Sequence, residues 1–154
     1  MPSLPGDRVL AIELLDARDA EGVYRKYRVL FIGGKAYPVH LARSTKWKVH
    51  YFSADLVRTP EAIAEEEAFL RDPRAAIGER AWAALEAAAE RIDLDYFGID
   101  FALDAQGNAL FFEANATMRA IVPASDGKNE ARRRAGMAAN AAFKELVLSK
   151  RAES

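Results

Sequence analysis

Asp100, Glu113 and Asn115 sit at a spacing that one pair of antiparallel strands would bring together. After Asp95 the apolar residues recur with period two, Phe97, Ile99, Phe101 and Leu103 on one face, Gly98, Asp100 and Ala102 on the other. Residues 105–108 (Ala-Gln-Gly-Asn) read as a turn, and residues 109–114 as the returning strand. A four-residue loop pairs Asp104 with Ala109, so Leu103 faces Leu110, Phe101 faces Phe112, and Asp100 faces Glu113. Carboxylates opposed at about 5 Å between Cβ atoms repel, and a cation would neutralise them. Oxygen-only donors suit magnesium or manganese and not zinc. The alternative is that both acids point to solvent. Phe111, on the face of Glu113 and Asn115 in this register, points to a half-covered surface or cleft.

A second set of residues is basic. Between positions 24 and 53 the chain carries Arg25, Lys26, Arg28, Lys35, Arg43, Lys46 and Lys48 and no acid, which suits an anionic ligand. Strand alternation puts Lys26 and Arg28 on one face, and Arg43 joins them if the neighbouring strand pairs in register. An ordinary solvated sheet face is the other reading. Trp47, between two lysines, is either a base-stacking ring or a half-buried aromatic. His40 and His50 lack a helical His pair or any Cys beside them and read as packing or hydrogen-bonding residues.

These side chains need a scaffold. Residues 8–15 are apolar enough for a strand and 16–22 form a polar loop. Residues 24–32 are rich in aromatic and β-branched types, Gly33-Gly34 supplies a tight turn, and 36–42 return as a strand whose Pro38 implies an edge position or an irregularity. Thr59-Pro60-Glu61 is a helix start, capped by Thr59 and running to about Leu70. Pro73 opens a second helix whose stripe is Ile77, Ala81, Ala84, Leu85, Ala88 and Ile92. An Ala-rich helix covers 130–150. The expected class is α+β, a mostly antiparallel sheet flanked by helices.

The chain has 154 residues, 51% hydrophobic, which is the scale of a single domain with one core. Twenty-two Lys and Arg against 23 Asp and Glu leave a net charge of -1, which argues against a dedicated nucleic-acid or membrane-surface protein. With no cysteine, disulfides and thiolate chemistry are excluded. No segment approaches the roughly 20 apolar residues of a spanning helix, and no leader opens the chain, so a soluble, cytoplasmic protein is expected. Phosphate-loop, dinucleotide and His-Glu-x-x-His motifs are absent.

Read together, Asp95-Tyr96-Phe97-Gly98-Ile99-Asp100-Phe101, the Gly107 turn and Phe111-Phe112-Glu113-Ala114-Asn115 resemble the ATP-grasp superfamily, in the branch of glutathione synthetase and ribosomal-protein glutamate ligases. The resemblance implies that Asp100, Glu113 and Asn115 hold the magnesium ions that bridge ATP phosphates. Ile12-Glu13-Leu14-Leu15-Asp16 is similar to the family's hinge, implying that Glu13, Leu14, Leu15 and Asp16 bind the nucleotide, backbone groups meeting adenine and a nearby acid the ribose. Tyr27-Arg28-Val29 with Gly33-Gly34-Lys35 looks like the strand pair that follows. Arg28 and Arg43, helped by Lys26 and Lys46, would face the polyphosphate. The likeness spans residues 9–117 and extends to the final helix; it is to the C-terminal lobe, with no room before Arg8 for the lobe that supplies phosphate-binding lysines. Ala116-Thr117-Met118-Arg119 departs from the family's small residue and Pro or Gly turn.

The activity implied is the nucleotide- and magnesium-binding part of an ATP-dependent carboxylate-amine ligase, inactive as an isolated chain. The chain is then either a fragment of a longer ligase or a short protein that has kept one lobe, with a separate chain supplying the missing lobe or self-association covering the face it leaves. The alternative is a non-catalytic interaction or regulatory module that retains the sheet.

Overall fold

The computed structural model describes residues 13–49, 59–123 and 129–152. Strand β1 (Tyr24–Ile32) turns into β2 (Lys35–Ser44) through Gly33 and Gly34, at φ 55° and 76°. Two successive positive φ angles are what a two-residue turn matched to strand twist requires, and glycine adopts them without steric cost. Strand β3 (Tyr96–Leu103) pairs with the other edge of β1, and β4 (Ala109–Asn115) with β3. The four-stranded sheet has the order β2-β1-β3-β4 with every pair antiparallel. With helices α1 (Pro60–Arg71), α2 (Pro73–Ile77), α3 (Glu79–Ala89) and α4 (Glu130–Ala152), the class is α+β, as expected. Among the described residues no helix is long and apolar enough to cross a membrane.

Pro38 lies in an edge strand and also at an irregularity. Arg28 pairs with His40 and Val29 with Pro38, so Val39 is an extra residue in β2. Proline has no N–H to give the ladder, and an edge strand with a bulge is where the sheet tolerates that.

Thr59 caps α1 by accepting from the Ala62 N–H at 3.2 Å, with Pro60 at the first helical position. The second helix differs from expectation: it breaks at Gly78, whose φ of 82° lies outside any helix, giving α2 and α3. Ile77, Ala81 and Leu85 still share the buried side, joined by Trp82, which the stripe had not included. Of the strand expected over 8–15, residues 13–15 are irregular and exposed, and the rest lies outside the described residues. Their amides make no ladder, and the first bridge forms only at Arg18 with Tyr24.

Both faces of the sheet are covered. Tyr27, Val29, Phe31, Phe97, Ile99 and Phe101 pack under α1 to α3, whereas Leu30, Ile32 and Val39 pack against Met118 and Ala139 of α4. Hence Gly98 and Ala102, on the expected polar face of β3, are buried as well. Across the β2 edge, Glu66 of α1 accepts the Leu41 N–H at 3.0 Å and two bonds from Arg132 of α4, at 2.8 and 2.6 Å. One carboxylate thereby satisfies an outward strand amide and ties both helical layers to it.

Candidate nucleotide and cation site

Asp100 and Glu113 are cross-strand partners, as the hydrophobic pattern indicated. The route to that pairing differs. The loop is one residue longer: Leu103 faces Ala109, Ala102 faces Leu110 and Phe101 faces Phe111. The expected pairs Leu103 with Leu110 and Phe101 with Phe112 therefore do not form. Asp104 stiffens the loop by accepting the Gln106 and Asn108 N–H groups at 2.9 and 2.8 Å. A bulge at Phe112 then shifts the register back, so that Asp100 meets Glu113 and Gly98 meets Asn115. Bulges re-aim side chains in this way beside sites.

Asp100 is 2% exposed. Its Oδ1 accepts from Arg28 Nε at 2.6 Å, and its Oδ2 from Arg28 Nη2 at 2.8 Å and Lys26 Nζ at 2.9 Å. Arg28 lies directly opposite Asp100 in the β1–β3 ladder, which makes the forked contact a consequence of register. Burial pushes the Asp100 carboxyl up, but the Arg28 bond and the charges of Lys26 and Arg28 outweigh it, and the group ends below its ordinary value. The positive charge that the opposed acids call for comes, in this structure, from the neighbouring strand.

Glu113 is exposed and accepts from Asn115 Nδ2 at 2.7 Å, while Asn115 Oδ1 accepts the Thr117 N–H at 2.7 Å and hydroxyl at 2.8 Å. Among the described residues, no three His, Asp or Glu side chains converge as a cation cage. Two acids and an amide fit a magnesium ion that keeps waters and takes phosphate oxygens, since that ion dehydrates reluctantly. Glu113 is the accessible member of the set. Asp100 holds three of the roughly four hydrogen bonds a carboxylate can accept.

A cleft of about 500 Å³ brings much of the expected set together. Glu13, Leu14 and Leu15 line it with Lys26, Asp100, Glu113, Phe111 and Phe112. Trp47 and Lys48 complete the wall. The volume falls in the range of small-ligand pockets. Trp47 is 65% exposed, so it is not the half-buried aromatic that was one reading of it. Asp16, beside this stretch, is ion-paired with Arg18 through Nε at 2.8 Å.

Arg43 does not join the set. It pairs in register with Arg25, on the side of Tyr27 and Leu41, and its Nε contacts Glu65 of α1 at 3.2 Å. Directly opposed strand residues share a face, and this face is the one under α1 to α3, away from Lys26 and Arg28. Lys46 is exposed outside the cleft lining, in a bend where its N–H donates to Ser44 Oγ at 3.0 Å, and Lys48 lines the wall instead. Arg28 reaches the cleft only through Asp100.

His40, opposite Arg28, is 3% exposed. Burial, reinforced by the Arg28 and Arg132 charges, pushes its imidazole down to about 3, so it is neutral at pH 7 and belongs to the packing behind the site. His50 lies outside the described residues.

Sequence reasoning missed the Lys26 and Arg28 clasp on Asp100. The signal was present in the alternation that placed both cations on one face, but only the β1–β3 register says which acid they meet. No family model matches this chain, and no curated protein or solved structure matches it.

Proposed function

We propose that the chain is the nucleotide- and magnesium-binding lobe of an ATP-dependent carboxylate-amine ligase, of the ATP-grasp kind, acting in the cytoplasm. The observation that carries the reading is the single cleft shared by Glu13, Leu14 and Leu15, the Lys26 ammonium, and the opposed Asp100 and Glu113. In this reading the irregular backbone at 13–15 offers N–H and C=O groups to a base, and Leu14, Leu15 and Trp47 flank its ring. Lys26 and Lys48 face the phosphates. Glu113, Asp100 and Asn115 would hold magnesium, which would neutralise phosphate charge; the reaction passes the γ-phosphoryl group of ATP to a carboxylate with release of ADP, and an amine then displaces phosphate from the acyl phosphate. Arg28 orients Asp100 and lends positive charge from behind the site.

The opposite lobe is supplied by another segment or a separate chain, or its face is covered by a second copy. Exposed Leu14, Leu15, Trp47, Phe111 and Phe112 around the cleft favour such an association. They equally support a second reading, a non-catalytic interaction module built on the same sheet.

Manganese relaxation titration with ADP tests the site. Binding is expected for the unaltered chain and is lost in Glu113→Ala. Identical titrations for the two proteins would remove the assignment.

A further inference from the structure

Three hydrogen bonds reach the Asp100 carboxylate, all from β1 of the same chain. The two cations that donate them differ in kind. Arg28 grips both oxygens with a planar fork, whereas Lys26 reaches one oxygen with a compact ammonium on a flexible stem, and it is Lys26 that lines the cleft beside Glu113. The charges of Lys26, Arg28, Asp100 and Glu113 cancel, so a divalent cation arriving by itself meets a neutral cluster with its buried acid engaged.

We infer that Lys26 is a displaceable latch, holding Asp100 back from a cation until a polyphosphate in the cleft draws the ammonium onto its own oxygens. This rests on the reading of the cleft as a nucleotide and cation site, and it adds an order to it: the anion completes the cation site. An ammonium has three rotatable donors and exchanges acceptors without losing its stem packing, which a forked guanidinium cannot do as readily. With Lys26 drawn away, the Oδ2 it held turns to the cation while Arg28 keeps the carboxylate in place. Linkage makes the effect reciprocal, so the cation strengthens polyphosphate binding by the same factor.

The experiment measures manganese affinity by water-proton relaxation, without nucleotide, in the unaltered chain, Lys26→Met and Lys48→Met. Lys48 lines the same cleft with the same charge and is not among the donors to Asp100. Lys26→Met is expected to bind manganese about tenfold tighter, well inside the range of ordinary coupling. Lys48→Met, which changes only the screened field, should shift affinity by less than about twofold. The factor by which ADP tightens manganese binding should shrink in Lys26→Met. No gain in Lys26→Met, or an equal gain in Lys48→Met, overturns the latch.

A second measurement needs no variant. Inorganic tripolyphosphate, added to the unaltered chain in metal-free buffer, should shift the Asp100 carboxyl carbon resonance; a resonance that stays in place also overturns the latch. ADP binding in chelator, followed by calorimetry, separates the two ideas. If ADP binds and Lys26→Met gains nothing, the latch falls and the nucleotide reading stands. If ADP fails to bind while tripolyphosphate and Lys26→Met behave as expected, the nucleotide reading falls and a polyphosphate latch stands.

Discussion

The pairing of Asp100 with Arg28 and Lys26 creates a second charge problem at His40, which faces Arg28 across the β1–β2 ladder. Lys26 and Arg28 of β1, Asp100 of β3 and Arg132 of α4 all act on its imidazole, and the cations prevail together with burial. The folded chain therefore keeps His40 neutral down to about pH 3, whereas an unfolded chain protonates it near its ordinary 6.5. A base whose pKa is lowered by folding contributes stability above 6.5 that is lost as pH falls toward 3. Asp100, also lowered, adds a loss of the same sign beneath its ordinary 3.8. The urea midpoint should decline as pH drops below 6.5, and His40→Leu should flatten the decline between 6.5 and 3. Equal slopes in the two proteins would show that His40 is not the group responsible. That His40 packs was legible from its isolation among non-ligating residues; its cationic surroundings required the fold.

Among the elements, β3 owes its close approach to the segment around Met118 to one missing side chain. A Cβ at Gly98 would lie 2.6 Å from Met118 Sδ, 2.8 Å from Met118 Cβ and 2.7 Å from Leu30 Cδ2. Met118 belongs to the segment that follows Asn115, and the Tyr96 hydroxyl donates to its carbonyl, so this contact helps set where Asn115 and Thr117 stand. Gly98→Ala should cost about 1–3 kcal/mol by overpacking, read from urea unfolding, and should weaken manganese binding with ADP through displacement of Asn115. Unchanged stability would mean that Met118 relocates freely. The need for glycine here could not be read from the strand pattern, because Met118 lies well beyond it in the chain and nothing in the sequence marks the two as neighbours. The caps at Thr59 and Asp72, by contrast, act within three residues of themselves and were readable, at least for Thr59, from local chemistry.

For the whole molecule, the sheet's two covered faces divide the basic residues. Lys26 and Arg28 share the face of Asp100, and Arg25 and Arg43, on the other face, are paired with Asp19 and Glu65, although Arg25 also touches the cleft wall. On the proposed reading, the chain offers one side of a closing site, and closure is what excludes water and completes the charge around a phosphoryl group. The chain by itself is therefore expected to release no ADP from ATP with amino-acid acceptors. Light scattering should give a mass above its 17.0 kDa, because the rim of Leu14, Trp47, Phe111 and Phe112 is exposed. A monomer that turned over ATP with an amine would overturn both expectations.

Local pattern determined a great deal here. A period-two run marked β3, aromatic and β-branched residues marked β1, and paired glycines marked the hairpin. The acids of β3 and β4 were matched because the longer loop and the bulge at Phe112 cancel, although the hydrophobic pairs expected between the two strands do not form. Tertiary structure decided what those acids face. The register of β1 on β3 and the side of the sheet that α1 occupies are set by packing between segments far apart in sequence. For that reason Arg28 became the partner of Asp100 while Arg43, a basic residue of the same run, was turned to the opposite face.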